Sequence, residues 1–295
     1  MRKNEVSMTV GDQQLRVLIA GGSSGLGAAI AEAAVERGHF VLAGGRRFAA
    51  PQQVGGGTSL LEIALDVQDQ GSCRAAVAEM ERRFSGVDVV IANAGTASIG
   101  AFEETSLEEF TRVMDVNFFG AVRIIKAAIP VMRRRNSGVI IAVSSLSGLI
   151  GLPGDSAYAA SKFALEGACE ALFAEVARFG IKVVVVEPGA IATEFANAAT
   201  LPTEMAEKQA YEFFNAHLKK RAQKVSGGAS PKAIAEEIVA IMEAPDGPLR
   251  RPVGHQARMI VDRLKTETAE SRRLLALNAA GLKWWDEGAD TPQGS

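Results

Sequence analysis

A serine, a tyrosine and a lysine are the residues of this chain whose types and spacing best suit chemistry. Tyr158 and Lys162 lie in the segment Y-A-A-S-K, and Ser145 precedes the tyrosine by thirteen residues. A phenol has a pKa of about 10, too high for ready proton exchange near neutrality. Because Lys162 follows by one helical turn, we expect its ammonium to lower the pKa of the phenol. Ser145 is expected to hydrogen-bond a substrate oxygen.

A fourth polar residue, Asn117, interrupts the apolar helical segment VMDVNFFGAV. A polar side chain there costs helix stability, which indicates a hydrogen-bonding duty, and we expect it to hold a water beside Lys162. Taken singly, Tyr158 is better explained as an interfacial tyrosine and Lys162 as a solvated lysine. The four residues together favour a catalytic set.

A glycine-rich turn lies between a short apolar strand predicted at 15–20 and a helix. Glycine suits this place because the backbone turns tightly and must approach a pyrophosphate without a Cβ in the way. The helix that follows would point its free N–H groups at those phosphates. The alternative is a glycine-rich turn with no ligand. We expect a dinucleotide to contact Gly21, Ser23, Ser24, Gly25, Leu26 and Gly27.

The end of the second predicted strand indicates which dinucleotide binds. An acidic residue there would bind the ribose hydroxyls of NAD, but the segment 43–47 reads A-G-G-R-R. Arg46, Arg47 or both could instead pair with the 2′-phosphate of NADP, although solvated loop arginines remain the alternative. The missing acid favours NADP over NAD. Asp66, which closes the third predicted strand, is expected to face the adenine, with an N-cap of the next helix as the rival interpretation.

Composition excludes several other classes of protein. The 295 residues are 47% hydrophobic and 22% charged with a formal net charge of −2, so neither nucleic acid nor an anionic membrane is an expected partner. The only cysteines, Cys73 and Cys169, lack partners at metal-ligand spacing, so we expect free thiols, no metal and a cytoplasmic location. We also expect no signal peptide and no membrane helix, because no long apolar run occurs.

Strands and helices alternate along most of the chain, which predicts an α/β fold with a doubly wound parallel sheet, the Rossmann fold. Further strands are predicted at 40–43, 60–65, 87–92, 138–143 and 182–186, and helices at 28–36, 73–84, 107–135 and 156–179. The pattern then changes to helices alone, predicted at 206–222, 231–243 and 255–277. We expect a tail at 1–14, one domain at 15–253 that includes a substrate lid at 190–228, and a C-terminal extension at 254–295 with no second hydrophobic core and a disordered end at 286–295.

These motifs resemble those of the short-chain dehydrogenase/reductase family, in its single-domain branch. A-G-G-S-S-G-L-G resembles the family's T-G-x-x-x-G-x-G, A-N-A-G its N-N-A-G, Y-A-A-S-K its Y-x-x-x-K, and E-P-G its P-G turn. The chain departs from the pattern at Ala20 and Ala92, where the family has threonine and asparagine. The segment 161–195 is similar to the subgroup of hydroxysteroid and retinol dehydrogenases.

The resemblance implies a Rossmann sheet of about seven strands, a bound NAD(P) and a catalytic tetrad of Asn117, Ser145, Tyr158 and Lys162. It also implies a homo-oligomer, a dimer or tetramer, through the helices at 107–135 and 156–179. Thr193 corresponds to the family's threonine that contacts the nicotinamide carboxamide. The further cofactor contacts that we expect are Asp66, Val67, Asn93, Ala94, Gly95, Tyr158, Lys162, Pro188, Gly189 and Ile191.

The function expected from these features is an NADP-dependent interconversion of a carbonyl and an alcohol. Apolar residues of the lid favour a lipophilic small molecule as substrate, unless they are only the buried face of a lid helix: Phe195, Met205, Tyr211, Phe213 and Phe214. His217 is expected at the surface. The alternative function is a non-catalytic NADP-binding sensor or scaffold with the same fold. An epimerase or dehydratase that uses bound NAD fits less well, because its expected acid and larger C-terminal domain are missing.

Overall fold

The computed structural model describes residues 14–49, 52–53, 59–193, 195, 210–223 and 228–289. Its central sheet has eight strands in the order β3-β4-β2-β1-β5-β6-β7-β8, and every neighbouring pair is parallel except the two-residue β3 with β4. The strands are β1 Arg16–Ala20, β2 Phe40–Gly45, β3 Gln52–Gln53, β4 Leu60–Ala64, β5 Val89–Ala92, β6 Gly138–Val143, β7 Ile181–Pro188 and β8 Arg250–Val253.

Helices cover both faces of this sheet. They are α1 Gly25–Glu36, α2 Gln70–Phe84, α3 Leu107–Met114, α4 Gly120–Arg135, α5 Ser156–Ala177, α6 Glu212–Gln223, α7 Pro231–Glu243, α8 His255–Leu264, α9 Ala269–Ala280 and α10 Lys283–Asp286. The apolar sides of α2, α4 and α5 pack on one face, and those of α1 and α7 pack on the other. The predicted doubly wound α/β fold is therefore confirmed.

The central strands are apolar throughout because both of their faces are buried. In β1, Leu18 points into the core beneath α2, α4 and α5, while Val17 and Ile19 point into the core beneath α1 and α7. All three side chains are fully buried. A strand covered on both sides reads as a continuous apolar run, which is why periodicity identified it.

Two predicted elements differ from the structure. The segment between the helices predicted at 231–243 and 255–277, where no strand is predicted, contains β8, an edge strand with the sequence R-R-P-V. Proline is tolerated at a sheet edge because no further strand needs its N–H. The single helix predicted at 255–277 is two helices. Thr268 begins the second one, α9, by accepting a hydrogen bond from the N–H of Ser271 at 3.2 Å.

The C-terminal extension packs on the lid helix α6 and forms a small third apolar cluster that the sequence analysis did not expect. Phe214 and Leu218 of α6 pack there with Trp284 of α10. His217 contacts the carbonyl oxygen of Ala280 at 3.0 Å, so its predicted surface position is wrong. Residues 286–289 of the predicted disordered end are ordered against this cluster, and 290–295 lie outside the described residues.

Over the described ranges, no helix has both the length and the apolar character needed to cross a membrane.

Candidate active site

The carboxyl ends of four neighbouring strands bring the predicted site residues to one edge of the sheet. The glycine turn follows β1, the A-N-A-G segment ends β5, Ser145 follows β6, and Pro188 ends β7. Because β1, β5, β6 and β7 are adjacent and parallel, these segments are neighbours in space. Ligands of open parallel sheets bind at this edge.

The glycine turn is held by main-chain and side-chain hydrogen bonds from two strands. The N–H groups of Gly21 and Gly22 donate to the carbonyl oxygen of Gly44 at 2.9 and 2.8 Å. The Asn93 side-chain amide donates to the Gly21 carbonyl oxygen at 2.8 Å. Gly21 has a φ of +85°, in the region that favours glycine. Asn93, predicted to contact the cofactor, therefore braces the turn that would hold it.

The residues around the start of α1 fit the phosphates of a dinucleotide. Ser24 occupies the N-cap position without a side-chain cap hydrogen bond, so its hydroxyl does not take up the first helical N–H groups. Ser24 and Gly25 are exposed, and so are Arg46 and Arg47 just beyond β2. Donors at a helix N-terminus and guanidinium groups nearby are the chemistry that phosphate groups need.

The loop after β7 faces the glycine turn from the other side of the edge. A Cβ placed on Gly25 would lie 3.5 Å from the Cγ2 atom of Thr193. Further along, the ring of Phe195 lies 5.8 Å from the ring of Tyr158. The loop after β7 therefore approaches the start of α1 through Thr193 and approaches Tyr158 through Phe195, and contact of Thr193 with a nicotinamide stays a prediction.

Ser145, Tyr158 and Lys162 lie together at the start of α5. The Lys162 Nζ atom is 5.7 Å from the centre of the Tyr158 ring and donates a hydrogen bond to the carbonyl oxygen of Val143 at 2.7 Å. The Ser145 hydroxyl hydrogen-bonds Tyr158 and accepts from the N–H of Ser147 at 3.1 Å. Lys162 is 4% exposed, so its charge is almost entirely withdrawn from water.

Burial dominates the electrostatics of this group. It raises the pKa of Tyr158 to about 12, only partly offset by the hydrogen bond from Ser145 and reinforced by the negative charge of Asp155. Burial also lowers the pKa of Lys162 to about 8, against the opposing effect of Glu166. The effects that set the pKa of Tyr158 do not include the charge of Lys162, so the predicted lowering by that lysine is not seen in this structure.

Asn117 lies in a π-helical segment, Asp115–Phe119, which joins α3 to α4 in place of the single long helix predicted. Its side-chain oxygen accepts from the N–H of Thr96 at 2.8 Å. Its amide group donates to the carbonyl oxygen of Thr96 and to the hydroxyl of Ser161, both at 2.9 Å. Both amide hydrogens are taken by the protein, so the side chain braces the site; a water held beside Lys162 stays a prediction.

Thr96 and Ser161 are site residues that the sequence analysis missed. Ser161 sits inside the Y-A-A-S-K motif, and its hydroxyl also donates to the carbonyl oxygen of Tyr158 at 2.7 Å. It therefore links the asparagine to the tyrosine helix. The one signal in the sequence was the place of Ser161 on the helix beside Lys162, from which its complete burial could have been expected.

Asp66 and Val67 follow β4 and differ in what they can offer a cofactor. Asp66 accepts from the N–H of Gln68 at 3.0 Å, whereas the N-cap of α2 is Asp69, so the rival interpretation of Asp66 as that cap is wrong. Contact between Asp66 and an adenine stays a prediction. The side chain of Val67 is buried in the core against Gly120, so only its main chain remains for such a contact.

The other predicted cofactor residues are placed as follows. Leu26 is a core side chain of α1, and Ala94 packs against Gly21, which leaves main-chain atoms for a ligand. Gly95 is exposed beside Phe195, and Ile191 forms an isolated parallel bridge with Ala229. Pro188 is the last residue of β7 and Gly189 is half-buried after it.

The apolar residues of the lid are divided between two environments. Tyr211 and Phe214 contact the ring of Trp285 at centroid distances of 6.1 and 5.4 Å, so they are the buried face of a lid helix rather than pocket walls. Phe195 is 39% and Phe213 44% exposed, which leaves them free to meet a ligand. Met205 lies outside the described residues.

Known proteins are similar to this chain in sequence and in architecture. A family model described as "short chain dehydrogenase" matches residues 16–203. An oxidoreductase of Botryotinia fuckeliana is 37% identical over 247 residues, covering 81% of this chain and 88% of the relative. A 3-ketodihydrosphingosine reductase of Bacteroides thetaiotaomicron is 34% identical over 262 residues, covering 88% and 96%. Human retinol dehydrogenase 8 is 39% identical over 172 residues, covering 56% of this chain and 55% of its own length.

Solved structures show the same likeness. A short-chain dehydrogenase from Streptomyces avermitilis is 33% identical with a TM-score of 0.73, covering 94% of this chain and 98% of its own. Two Burkholderia short-chain dehydrogenases share the fold at 23% and 19% identity, both with a TM-score of 0.72. The first, from Burkholderia cenocepacia, was solved with NADP and covers 94% and 99% of the two chains. The second, from Burkholderia phymatum, was solved with NAD and covers 85% and 92%.

The resemblance predicted from the motifs is thus confirmed, including its likeness to retinol dehydrogenases. The chain belongs to the short-chain dehydrogenase/reductase family of oxidoreductases.

Proposed function

We propose that this oxidoreductase uses NADP to reduce a ketone or aldehyde to an alcohol, or to run the reverse reaction. The observation that carries the proposal is the grouping of Ser145, Tyr158 and Lys162 at the same sheet edge as the glycine turn. A protein that only bound a dinucleotide would need the turn but not a half-buried tyrosine and serine and a buried lysine beside it.

A bound nicotinamide supplies or accepts the hydride in this chemistry. Tyr158 acts as the acid: with a pKa of about 12 it keeps its proton at working pH and can give it to a carbonyl oxygen. Ser145 donates a hydrogen bond to the same oxygen and so holds it near the phenol. Lys162, held by the carbonyl oxygen of Val143, offers a positive charge to the phenolate that the proton transfer leaves behind.

The preference for NADP rests on Arg46 and Arg47. Both are exposed directly after β2, and the positions before them, Gly44 and Gly45, carry no carboxylate that would repel a phosphate. An arginine fork fits the 2′-phosphate in a bidentate way. Relatives by fold were solved with either cofactor, so the arginines carry this part of the proposal.

The substrate class that we propose is a lipophilic small molecule. Phe195 places an exposed aromatic ring next to Tyr158, where the reacting carbonyl would lie. The names of two relatives, a 3-ketodihydrosphingosine reductase and a retinol dehydrogenase, describe lipophilic substrates for those proteins. Phe213 is a second exposed ring on the lid helix.

The test is loss of NADPH absorbance against lipophilic ketones and aldehydes, with the wild-type protein, Tyr158→Phe and Tyr211→Phe. The chain has only these two tyrosines, and Tyr211 lies in the cluster of α6 with α10, so its variant is the matched control. We expect turnover in the wild type and the control, and loss of at least about 100-fold in Tyr158→Phe. Equal turnover in all three proteins would contradict the assignment of Tyr158.

The alternative is a non-catalytic NADP-binding sensor or scaffold. It predicts tight NADPH binding by both tyrosine variants and no turnover by any of the three proteins. Substrate-dependent turnover that disappears only in Tyr158→Phe excludes it.

We further propose a cytoplasmic homo-oligomer, a dimer or tetramer. Both cysteines are buried free thiols, which suits a reducing compartment. Phe119 at the start of α4 is 47% exposed, and Phe163 and Phe173 of α5 are 47% and 42% exposed. Apolar rings on these helices would be covered by pairing with a second copy. Light scattering of Phe163→Asp beside the wild type tests this, and a dimer or tetramer that becomes monomeric is the expected result.

A further inference from the structure

Two glutamates are buried behind the lysine of the site, and the proposed reaction does not use them. Glu187 is the next-to-last residue of β7 and is 0% exposed, and Glu166 lies one turn after Lys162 on α5 and is 3% exposed. Four buried oxygen atoms of this region have no hydrogen-bond partner among the described residues: both carboxyl oxygens of Glu187, Oε1 of Glu166 and the hydroxyl of Ser144.

Arg250 of β8 is the cation that faces this pair from the sheet edge. Its Nε atom is 2.9 Å from Oε2 of Glu166 and 4.0 Å from Oε1 of Glu187. Its Nη2 atom is 2.7 Å from Oε2 of Glu170, whose carboxylate is 63% exposed. Glu166 and Glu187 therefore share one guanidinium that is already engaged.

The remaining titratable groups around the pair come from α5. Lys162 adds a positive charge, but its Nζ atom donates to the carbonyl oxygen of Val143. Burial raises the pKa of the Cys169 thiol to about 12, so it contributes no charge at neutral pH. Burying two negatively charged carboxylates with so little positive charge nearby would cost free energy, and a buried carboxyl group avoids that cost by keeping its proton.

We propose that, up to neutral pH, Glu166 and Glu187 carry one negative charge between them with the proton on Glu187, and that the charge kept on Glu166 holds Lys162 in its ammonium form. The unpartnered carboxyl oxygens of this group are acceptors that need hydrogen-bond donors. A protonated Glu187 supplies one donor, and the Ser144 hydroxyl supplies another. The part of the proposal that concerns Lys162 rests on the proposed function, whereas the protonation of Glu187 does not.

The direction of the effect on Lys162 follows from charge. Burial and the neighbouring Glu166 raise the pKa of Glu187 to about 7, with Arg250 opposing them. Below that pH the pair presents one negative charge, and above it two. The charge on Glu166, one helical turn from the lysine, favours the ammonium form of Lys162 against the effect of burial. Glu166 is thus the positioning residue of the pair.

The first experiment measures unfolding by denaturant between pH 5 and pH 8 for the wild type, Glu187→Gln and the control Glu170→Gln. The folded pKa of Glu187 is raised, so the native protein holds its proton where the unfolded chain has lost it, and its contribution to stability falls as pH rises toward about 7. Relative to Glu187→Gln, the wild-type unfolding equilibrium constant should increase by on the order of 100-fold across this window. Glu170→Gln should follow the wild type.

A constant difference between the wild type and Glu187→Gln at every pH would overturn the proposal, because it would show that Glu187 does not change its protonation there. Should Glu187→Gln fail to fold, Glu166→Gln serves instead. Removing the neighbouring carboxylate lowers the pKa of Glu187, so this variant should show a smaller pH-dependent change than the wild type, with the remainder due to burial. A change as large as that of the wild type would contradict the shared charge.

The second experiment measures the pH profile of NADPH-dependent turnover. With the charge of Glu166 absent, Lys162 loses its proton earlier, so the alkaline limb of Glu166→Gln should move to lower pH by on the order of one unit. Glu170→Gln should leave the limb in place. A pH-dependent stability change without a shifted limb would overturn the positioning role alone. If the wild type shows no turnover, the proposed function fails while the stability experiment still decides the protonation.

Discussion

Replacing Gly27 by alanine is a demanding test of how the cofactor turn is built. Gly27 lies in α1, and a Cβ there would be 2.5 Å from the Nδ2 atom of Asn93 and closer still to the carbonyl oxygen of Gly21. These two atoms form the hydrogen bond that braces the turn, at 2.8 Å. An ordinary contact needs roughly 3.4 Å, so the turn and the Asn93 side chain must move away from the added Cβ by about 1 Å.

The magnitude follows from these contacts. Overpacking at a close site costs about 1–3 kcal/mol, and the strained hydrogen bond adds about 1 kcal/mol. Alanine in a helix offsets about 1 kcal/mol of that. We therefore expect the free energy of unfolding to fall by about 1–3 kcal/mol. Because the turn would face the phosphates, we also expect NADPH binding to weaken at least about tenfold, which corresponds to about 1.4 kcal/mol.

Gly167→Ala is the matched control, because Gly167 is an exposed glycine of α5 where an added Cβ would meet no atom within 4 Å beyond the backbone of its own helix. Helix propensity alone should stabilise that variant by about 1 kcal/mol. The two melting temperatures should differ by roughly 5–10 °C, measured by calorimetry, and NADPH affinity is measured by fluorescence titration. Equal melting temperatures and equal NADPH affinities for the two variants would refute the reasoning.

Three further predictions concern the cofactor, the brace and the lid. Arg46→Gln should weaken NADPH binding by about 10- to 100-fold and leave NADH binding unchanged, and an equal loss for both cofactors in titrations would contradict a 2′-phosphate contact. Asn117→Ala leaves both the N–H and the carbonyl of Thr96 without their partner, so denaturant unfolding should show a loss of about 2–4 kcal/mol; a loss below about 1 kcal/mol would contradict the brace. Trp284 supports the lid helix through Leu218, so Trp284→Ala should lower the free energy of unfolding by about 3 kcal/mol and raise the substrate KM more than it lowers kcat. Unchanged kinetics would be the contrary result.

Local patterns were sufficient for much of the fold and for the membership of the site. The apolar run of β1 requires burial on both faces, and the glycines after it require a tight turn, so strand, turn and helix follow from residues close in sequence. The spacing of Tyr158 and Lys162 places them on one helix face in any α-helix. β8 escaped prediction because a short edge strand needs no apolar alternation, and two arginines with a proline resemble a loop.

The tertiary structure decided what those residues experience. The amino-acid sequence by itself determined that a tyrosine and a lysine share a helix face, but not that burial would raise the pKa of Tyr158 to about 12. It determined that Asn117 interrupts an apolar segment, but not that Thr96, far away in sequence, takes its hydrogen bonds. Desolvation and hydrogen-bond partners depend on atoms brought together by distant segments, and only the packed chain specifies them.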